Sequence, residues 1–417
     1  MSPLHPTRIV ILGAGFGGVY TFKKLHELFH NDTSIELILV NNTNYFLFTP
    51  LLHEVATGGI SPDHIVEPLR KTLGCCLGAF YLGEVEKIST KTKSIETTAG
   101  SISYDYCVVA LGSQTSFYGT KGSEYTFTLK SLSDAVRLKN HYIRIFEEAS
   151  KIHDKKILDA MLRFVIVGGG PTGVELAAEM HELFYDTFGK FYKEQDLLSH
   201  VQIIMVHKQD EILSQFSSSI RKQSMNVLCK KGIIIKTNCA VTEVSASYVV
   251  LDSGEHISTK TAVWVAGIEP RQVKCDMVLK KDEHKRMIIN EYMQAGGQNE
   301  LFALGDCTAY IPSGNNRPLP ALAQVATAQG ETVALNIYNM IKGKKCVPFH
   351  YHHKGDLLSL GQWMAIAEIG PLHVVGHFAW WLWRTVYLFK LISWHKKIKV
   401  ATDWTINLFS PRDISQL

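Results

Sequence analysis

The sequence of 417 residues contains no uncharged stretch of about 18 residues, so it offers no ordinary membrane-spanning helix. It has little net charge, +4, and its Lys and Arg are spread out except at Lys396-Lys397-Ile398-Lys399. That balance excludes wholesale nucleic-acid binding. Eight cysteines in a chain of this length exclude a secreted disulfide scaffold and fit a reducing compartment. Only Cys75-Cys76 are neighbours; adjacent residues make a poor redox pair, and both read as reduced structural thiols. No Cys-x4-Cys pair stands near the first helix, which disfavours a redox-disulfide reductase of the glutathione type. The first apolar strand starts by Arg8, leaving no room for a signal or transit peptide. Low-complexity linkers and a metal-ligand set are also missing.

What is present is a pair of glycine fingerprints. Gly13-Ala14-Gly15-Phe16-Gly17-Gly18 follows the apolar run Arg8–Leu12, and Gly168-Gly169-Gly170-Pro171-Thr172-Gly173 follows Phe164–Val167. Each reads as strand, tight turn and helix. The first glycine permits the turn and the second lets backbone approach a pyrophosphate. The third lets helix and strand pack closely, with the anion at the helix N-terminus. One such fingerprint is weak; two in context argue for two dinucleotides, a flavin and a nicotinamide donor.

Short apolar runs at Ile35–Val40, Tyr106–Ala110, Val201–Val206, Ala262–Val265 and Leu301–Leu304 end at or near Gly, Asn, His or Asp. They predict parallel sheets with ligands at their carboxyl edges. The fold class expected is α/β, with two Rossmann-like domains, the second inserted in the first. The first would span 1–120 and 270–330 and the second 121–269. Residues 331–417, rich in Trp, would form a C-terminal membrane-associating region.

Further motifs converge on a family. Tyr45-Phe46-Leu47-Phe48-Thr49-Pro50-Leu51-Leu52-His53-Glu54-Val55-Ala56-Thr57-Gly58 follows the second strand. Trp264-Val265-Ala266-Gly267 and Phe302-Ala303-Leu304-Gly305-Asp306-Cys307 end later strands, and Ala323-Gln324-Val325-Ala326-Thr327-Ala328-Gln329 opens a helix. From Ile9 to about Asp413 the chain resembles type II NADH dehydrogenases, the single-chain, non-pumping NADH:quinone oxidoreductases. The resemblance implies FAD on Gly13, Gly15, Gly17 and Gly18, and the nicotinamide nucleotide on Gly168, Gly170 and Gly173. It implies that Thr49, Pro50, Leu51 and Leu52 line the flavin and that Asp306 holds its ribityl chain. A strand-end carboxylate suits that task because it accepts hydroxyl hydrogen bonds strongly. Gly112, Gly305, Ala266, Gly267 and Ala323 belong with the cofactor-binding positions.

Three positions depart from the family pattern. The acid that usually accepts from the adenosine ribose is Asn41, which also suits a turn in Asn41-Asn42-Thr43-Asn44. The matching acid of the second unit is His207, followed by Lys208, which removes a repulsion against a 2′-phosphate and keeps NADPH open beside NADH. The quinone motif keeps Gln324 but has Ala328 where a second Gln is usual. Gln329 next door lies about 100° around the helix.

Glu175 sits in the first turn of the second fingerprint helix, where the dipole favours a carboxylate. The resemblance implies a role for it in proton or charge handling, whereas Glu179 on the same face reads as structural. His53, Glu54 and Glu175 are the ionisable residues placed nearest the flavin, in no order the sequence reveals. Residues 372–395 read as one Trp-rich helix with His373, His377, Arg384 and His395 on a stripe, followed by basic residues. That pattern suits the membrane interface, with a buried core or dimer helix as the alternative. The expectation is a peripheral enzyme on the cytoplasmic face of a bacterial inner membrane, with a membrane quinone, the lipid surface and a second copy as partners. The rivals are a sulfide:quinone oxidoreductase, which needs cysteines that Cys107, Cys229 and Cys346 do not convincingly supply, and a non-enzymatic flavin redox sensor.

Overall fold

A computed structural model describes residues 5–73, 78–193 and 196–416; Cys75-Cys76 lie outside the described residues. The chain forms two compact units. One comprises the chain through Leu47, Val66–Gln114 and Ile268–His353; the other comprises Phe48–Ile65, Thr115–Gly267 and Lys354–Leu417.

The first unit is built on a five-stranded sheet in the order Leu301–Ala303, Tyr106–Val109, Thr7–Leu12, Ile35–Asn41, Gly78–Leu82, every pairing parallel. Ile9, Val10, Ile11 and Leu12 are fully buried, so consecutive residues face apolar surroundings on both sides of the sheet. That is why these strands read as continuous apolar runs instead of alternating ones. Helices Phe16–Leu28 and Ala323–Ile341 pack against each other. Chain order reverses beside Thr7–Leu12, so the carboxyl ends of that strand and of Tyr106–Val109 open a crevice of the kind that binds ligands in α/β sheets.

The second unit repeats the plan with Phe127–Thr128, Thr261–Trp264, Arg163–Val167, Gln202–Val206 and Ile234–Lys236, again all parallel. Phe146, Phe164, Phe184 and Phe188 are fully buried and meet at ring-centroid distances such as 4.5 Å, filling the core behind the sheet. The helix Pro171–His181 continues into a π-helical stretch, Glu182–Phe188. Such wide turns are rare and gather at functional sites.

The C-terminal segment corrects one expectation. Residues 372–395 are not one helix. Leu372–Gly376 is a strand, antiparallel to Ala365–Ile369, which in turn pairs with Asp356–Ser359. The turn Gly370-Pro371 and the β-branched pair Val374-Val375 favour extended backbone there. Gly376, at φ +107°, then admits the helix His377–Lys390. After a break, Ser393 caps a second helix, Trp394–Ile406, by accepting from the Lys396 N–H. The expected stripe is therefore divided: His373 pairs with Glu368 in the sheet at 3.2 Å, and His395 lies on the second helix. Trp380 and Trp383 are buried, whereas Trp381 and Trp394 are 52% and 63% exposed.

Candidate functional site

In the first unit, Gly13 adopts φ +102°, and a Cβ on it would stand 2.3 Å from the Ala110 carbonyl oxygen. A Cβ on Gly18 would stand 1.8 Å from the Gly13 carbonyl oxygen, and one on Gly17 would strike the Leu304 side chain. These glycines let the helix close on the strand. Gly15 differs: nothing lies within 4 Å of its Cβ position, and it caps the helix with no side-chain bond. The N-terminus of Phe16–Leu28 thus has no side-chain cap and no atoms crowding Gly15, an arrangement that suits an anionic pyrophosphate. Gly112, at φ +68°, is equally open.

Asn41 braces this turn. Its Oδ1 accepts from the Ala14 N–H at 2.9 Å, and its Nδ2 donates to the Thr43 carbonyl at 3.0 Å and to Thr43 Oγ1 at 2.9 Å. Both amide hydrogens are engaged, leaving one Oδ1 lone pair to accept from a sugar hydroxyl. Across the crevice, the Ser113 hydroxyl donates to Asp306 Oδ2 at 2.6 Å. Gly305, at φ +75°, donates its N–H to the buried Gln329 Oε1 at 2.8 Å. Gln329 is therefore committed to holding the turn that presents Asp306. Ala323, Gln324 and Ala328 are half-buried near the start of the same helix.

In the second unit, Gly168 has φ +123°, and a Cβ on Gly173 would stand 2.0 Å from the Gly168 carbonyl oxygen. Gly170 is open and uncapped, as Gly15 is. His207 takes the place of an acid with a defined role: its Nδ1 accepts from the Gly169 N–H at 3.1 Å. That bond puts the ring proton on Nε2, which has no hydrogen-bond partner among the described residues. Burial lowers the His207 pKa, so the ring is a neutral donor. Ala266 and Gly267 end their strand under Tyr118, whose hydroxyl would stand 2.1 Å from a Cβ on Gly267. Thr49 is exposed, whereas Leu51 and Leu52 are buried in this unit.

The same unit holds a cluster that the sequence reading only partly anticipated. Glu175, Glu179 and Glu182 recur at intervals of four and three residues, one stripe of a helix, and all are buried. Glu175 Oε1 accepts from the Ser359 N–H at 3.2 Å, and Oε2 stands 3.6 Å from His53 Nδ1. Glu179 meets Arg412 Nη2 at 2.6 Å, and Glu182 meets the same atom at 3.0 Å. Glu182 also faces Lys231 and accepts from the Gln362 N–H. Gly361 bends over it at φ +97°, where a Cβ would collide with the carboxylate. Glu54 accepts from Trp404 Nε1 at 2.7 Å. Arg384 stacks 3.8 Å from the Trp380 ring centroid and 4.8 Å from that of Trp404.

Burial raises Glu175 well above the ordinary carboxyl range, with Glu179 and Glu54 adding repulsion against the Ser359 bond. Burial likewise raises Glu54 to about 8 and Glu182 to about 7, each further lifted by Glu179. Burial alone would raise Glu179 too, but the Arg412 guanidinium beside it outweighs burial and holds this carboxyl below its ordinary value. Burial lowers His53 to about 4. At neutral pH the His53–Glu175 contact is therefore one of neutral imidazole with neutral acid, not an ion pair. Glu at intervals of four and three residues was the available sequence signal for this cluster; nothing local marks Arg412 or Trp404 as its partners.

The described cysteines are all free. Burial pushes the Cys107 thiol far up and that of Cys307 to about 12, which makes both poor nucleophiles.

Residues 7–330 match the pyridine nucleotide-disulphide oxidoreductase family, and residues 353–413 match the NDH2 C-terminal domain. A type II NADH:quinone oxidoreductase of Staphylococcus saprophyticus is 30% identical over 358 residues, covering 85% of this chain and 87% of that protein. The type II NADH:quinone oxidoreductase Ndh of Mycobacterium tuberculosis is 28% identical, covering 99% of this chain and 90% of its own length. In fold, the chain is similar to NDH2 from Plasmodium falciparum, solved in complex with NADH, with a TM-score of 0.89 at 20% identity, covering 99% of this chain and 100% of that one. With its two open glycine turns and its matching C-terminal segment, the chain belongs to the pyridine nucleotide-disulphide oxidoreductase flavoproteins and, among them, to the type II NADH:quinone oxidoreductases.

Proposed function

We propose that the first glycine turn holds FAD, that the second receives NADH or NADPH, and that the electrons pass on to a membrane quinone. The observation that carries the reading is the pair of open, uncapped helix N-termini at Gly15 and Gly170, each at the reversal point of a parallel sheet. Bound FAD accepts two electrons as hydride and returns them to an acceptor. The residues of the chain bind and orient. N–H groups of Phe16–Leu28 take one pyrophosphate and Asn41 accepts from the adenosine ribose. Asp306, aligned by Ser113, accepts from the ribityl hydroxyls. In the second unit the helix starting at Pro171 takes the other pyrophosphate, and His207 stands where an acid would otherwise read the ribose. Gln324 contacts the quinone without the usual partner at 328.

The membrane reading rests on the C-terminal helices. Phe378, Trp381 and Phe389 are 67%, 52% and 72% exposed and fall on one stripe of His377–Lys390, opposite the buried Trp380 and Trp383. Trp394 and Ile398 extend the apolar surface beside Lys396, Lys397 and Lys399. Among the described residues no helix is long and apolar enough to cross a membrane. We place this face in the bilayer interface, with the lysines at anionic headgroups.

Acid precipitation of the purified protein should release FAD. Anaerobic NADH should bleach the flavin, and a quinone should restore its absorbance. A colourless protein that cannot be reconstituted, or a reduced flavin that no quinone reoxidises, would overturn the reading. Sulfide chemistry gains no support from Cys107 and Cys307, whose thiols are buried and hard to ionise.

A further inference from the structure

The glutamate cluster borders a cavity of about 300 Å³ in the second unit, lined by Glu54, Glu179, Glu182, Arg384 and Arg412 among others. Glu175 does not reach this cavity, and neither does His53. His53 is 97% buried by its 3% exposure, its Nδ1 faces Glu175 Oε2 at 3.6 Å, and its Nε2 is buried with no hydrogen-bond partner among the described residues. It follows Leu52 at the start of a short helix, directly before Glu54, which does line the cavity. The charged groups around it are Glu175 and Glu179 from the fingerprint helix and Arg412 from the C-terminal segment, with Glu54 and Arg384 beyond.

This arrangement bears on the proton balance of the reaction. NADH gives up two electrons and one proton as hydride. Reducing a quinone to a quinol takes two electrons and two protons. One proton per turnover must therefore come from water, and the acid that delivers it has to be refilled. Resting on the quinone reading above, we propose that His53 refills Glu175 with protons drawn from the carboxyl groups of the cavity. The imidazole takes a proton at Nε2 from the side of the protonated Glu54 and Glu182 and releases the proton on Nδ1 to Glu175 Oε2, then returns to its starting tautomer by ring rotation. No electron moves in this step. His53 is a positioning residue that acts through Glu175. The 3.6 Å contact must tighten by about half an ångström for transfer, as resting hydrogen bonds in such sites commonly do. Carboxyl groups that titrate at about 7 and about 8 on the cavity suit exchange with water at neutral pH.

The test separates the two half-reactions. In His53→Gln, which keeps the volume and polarity of the site, anaerobic flavin bleaching by NADH should stay within about two-fold of the parent, while reoxidation by a water-soluble quinone slows at least about ten-fold. In His53→Ala, added imidazole should restore reoxidation in proportion to its neutral form; a merely structural histidine would show no such rescue. Independently of turnover, infrared spectra should show a protonated-carboxyl band that vanishes in Glu175→Gln and shifts in His53→Gln. Unchanged reoxidation, equal slowing of both half-reactions, or a Glu175 band indifferent to His53 would each overturn the relay. Failure of the parent enzyme to reduce any quinone would instead sink the quinone reading, and the infrared comparison would still decide the contact.

Discussion

The glycines of one fingerprint do different work, and substitutions should separate them. Gly18→Ala forces a methyl to within 1.8 Å of the Gly13 carbonyl oxygen, so helix and strand must part. It should lower stability by about 1–3 kcal/mol, read as a fall in Tm whether or not flavin is bound. Gly15→Ala meets nothing within 4 Å and should leave the apoprotein fold intact while weakening FAD retention on dialysis. Equal Tm losses in both variants would refute the distinction. At the second turn, His207 stands in place of a carboxylate and spends its Nδ1 on the Gly169 N–H, so residue 207 itself does not repel a 2′-phosphate. His207→Glu should raise the ratio of kcat/KM for NADH over NADPH by about ten-fold, about 1.4 kcal/mol of discrimination. An unchanged ratio would show that residue 207 does not read the ribose.

At the scale of elements, two side chains of the C-terminal segment, Trp404 and Arg412, reach buried carboxyl groups of the second unit. Arg412, beyond the last helix, joins Glu179 and Glu182, and Trp404 on that helix holds Glu54, so the C-terminal segment completes the charge balance of the second unit. Arg412→Ala leaves buried carboxylates without their cation and should cost about 3–5 kcal/mol, measured as a loss of denaturant midpoint in the second unit. Truncation before Leu372 should fail for the same reason and is not a clean way to remove membrane contact. The helix stripe also sets a pH dependence. Folded pKa values of about 8 for Glu54 and about 7 for Glu182 lie above the ordinary carboxyl value of 4.5. Between roughly pH 4.5 and 8 the folded state then holds more protons than the unfolded one, and stability falls as pH rises through that window. His53, lowered to about 4 from 6.5, acts the other way below pH 6.5, where only the unfolded ring takes a proton. Stability should therefore decline from about pH 6.5 to pH 8, by at most about 1.4 kcal/mol per pH unit for each proton, seen as a falling Tm. Glu182→Gln should flatten that decline; an identical slope in the variant would remove Glu182 from the account.

Across the whole molecule, membrane contact is a property of surface composition, not of a spanning segment. Replacing Phe378, Trp381 and Phe389 together by Ser removes exposed apolar area without touching the buried Trp380 and Trp383. The triple variant should keep its unfolding free energy within about 1 kcal/mol of the parent and lose sedimentation with anionic liposomes. Retained binding would move the membrane face elsewhere.

Features whose physics is local can be read from the residues in order. A glycine after an apolar strand, with a helix to follow, dictates an open turn, and Gly13–Gly18 and Gly168–Gly173 adopt it. Continuous apolar runs dictate strands buried on both faces, and those at Thr7–Leu12 and Arg163–Val167 are parallel. The motif-based resemblance to type II NADH dehydrogenases was legible because its residues are contiguous. Features that depend on distant partners emerge on folding. Periodicity alone read 372–395 as one helix, because Leu, Val and Trp suit a buried strand and a helix face alike; pairing with Ala365–Ile369 selected the strand for Leu372–Gly376. Gln329 is a turn brace and Asn41 a loop anchor because of residues 24 and 27 positions away. The order of His53, Glu54 and Glu175 was closed to the sequence, since ionisation depends on burial and on charges such as Arg412, brought from far along the chain by folding.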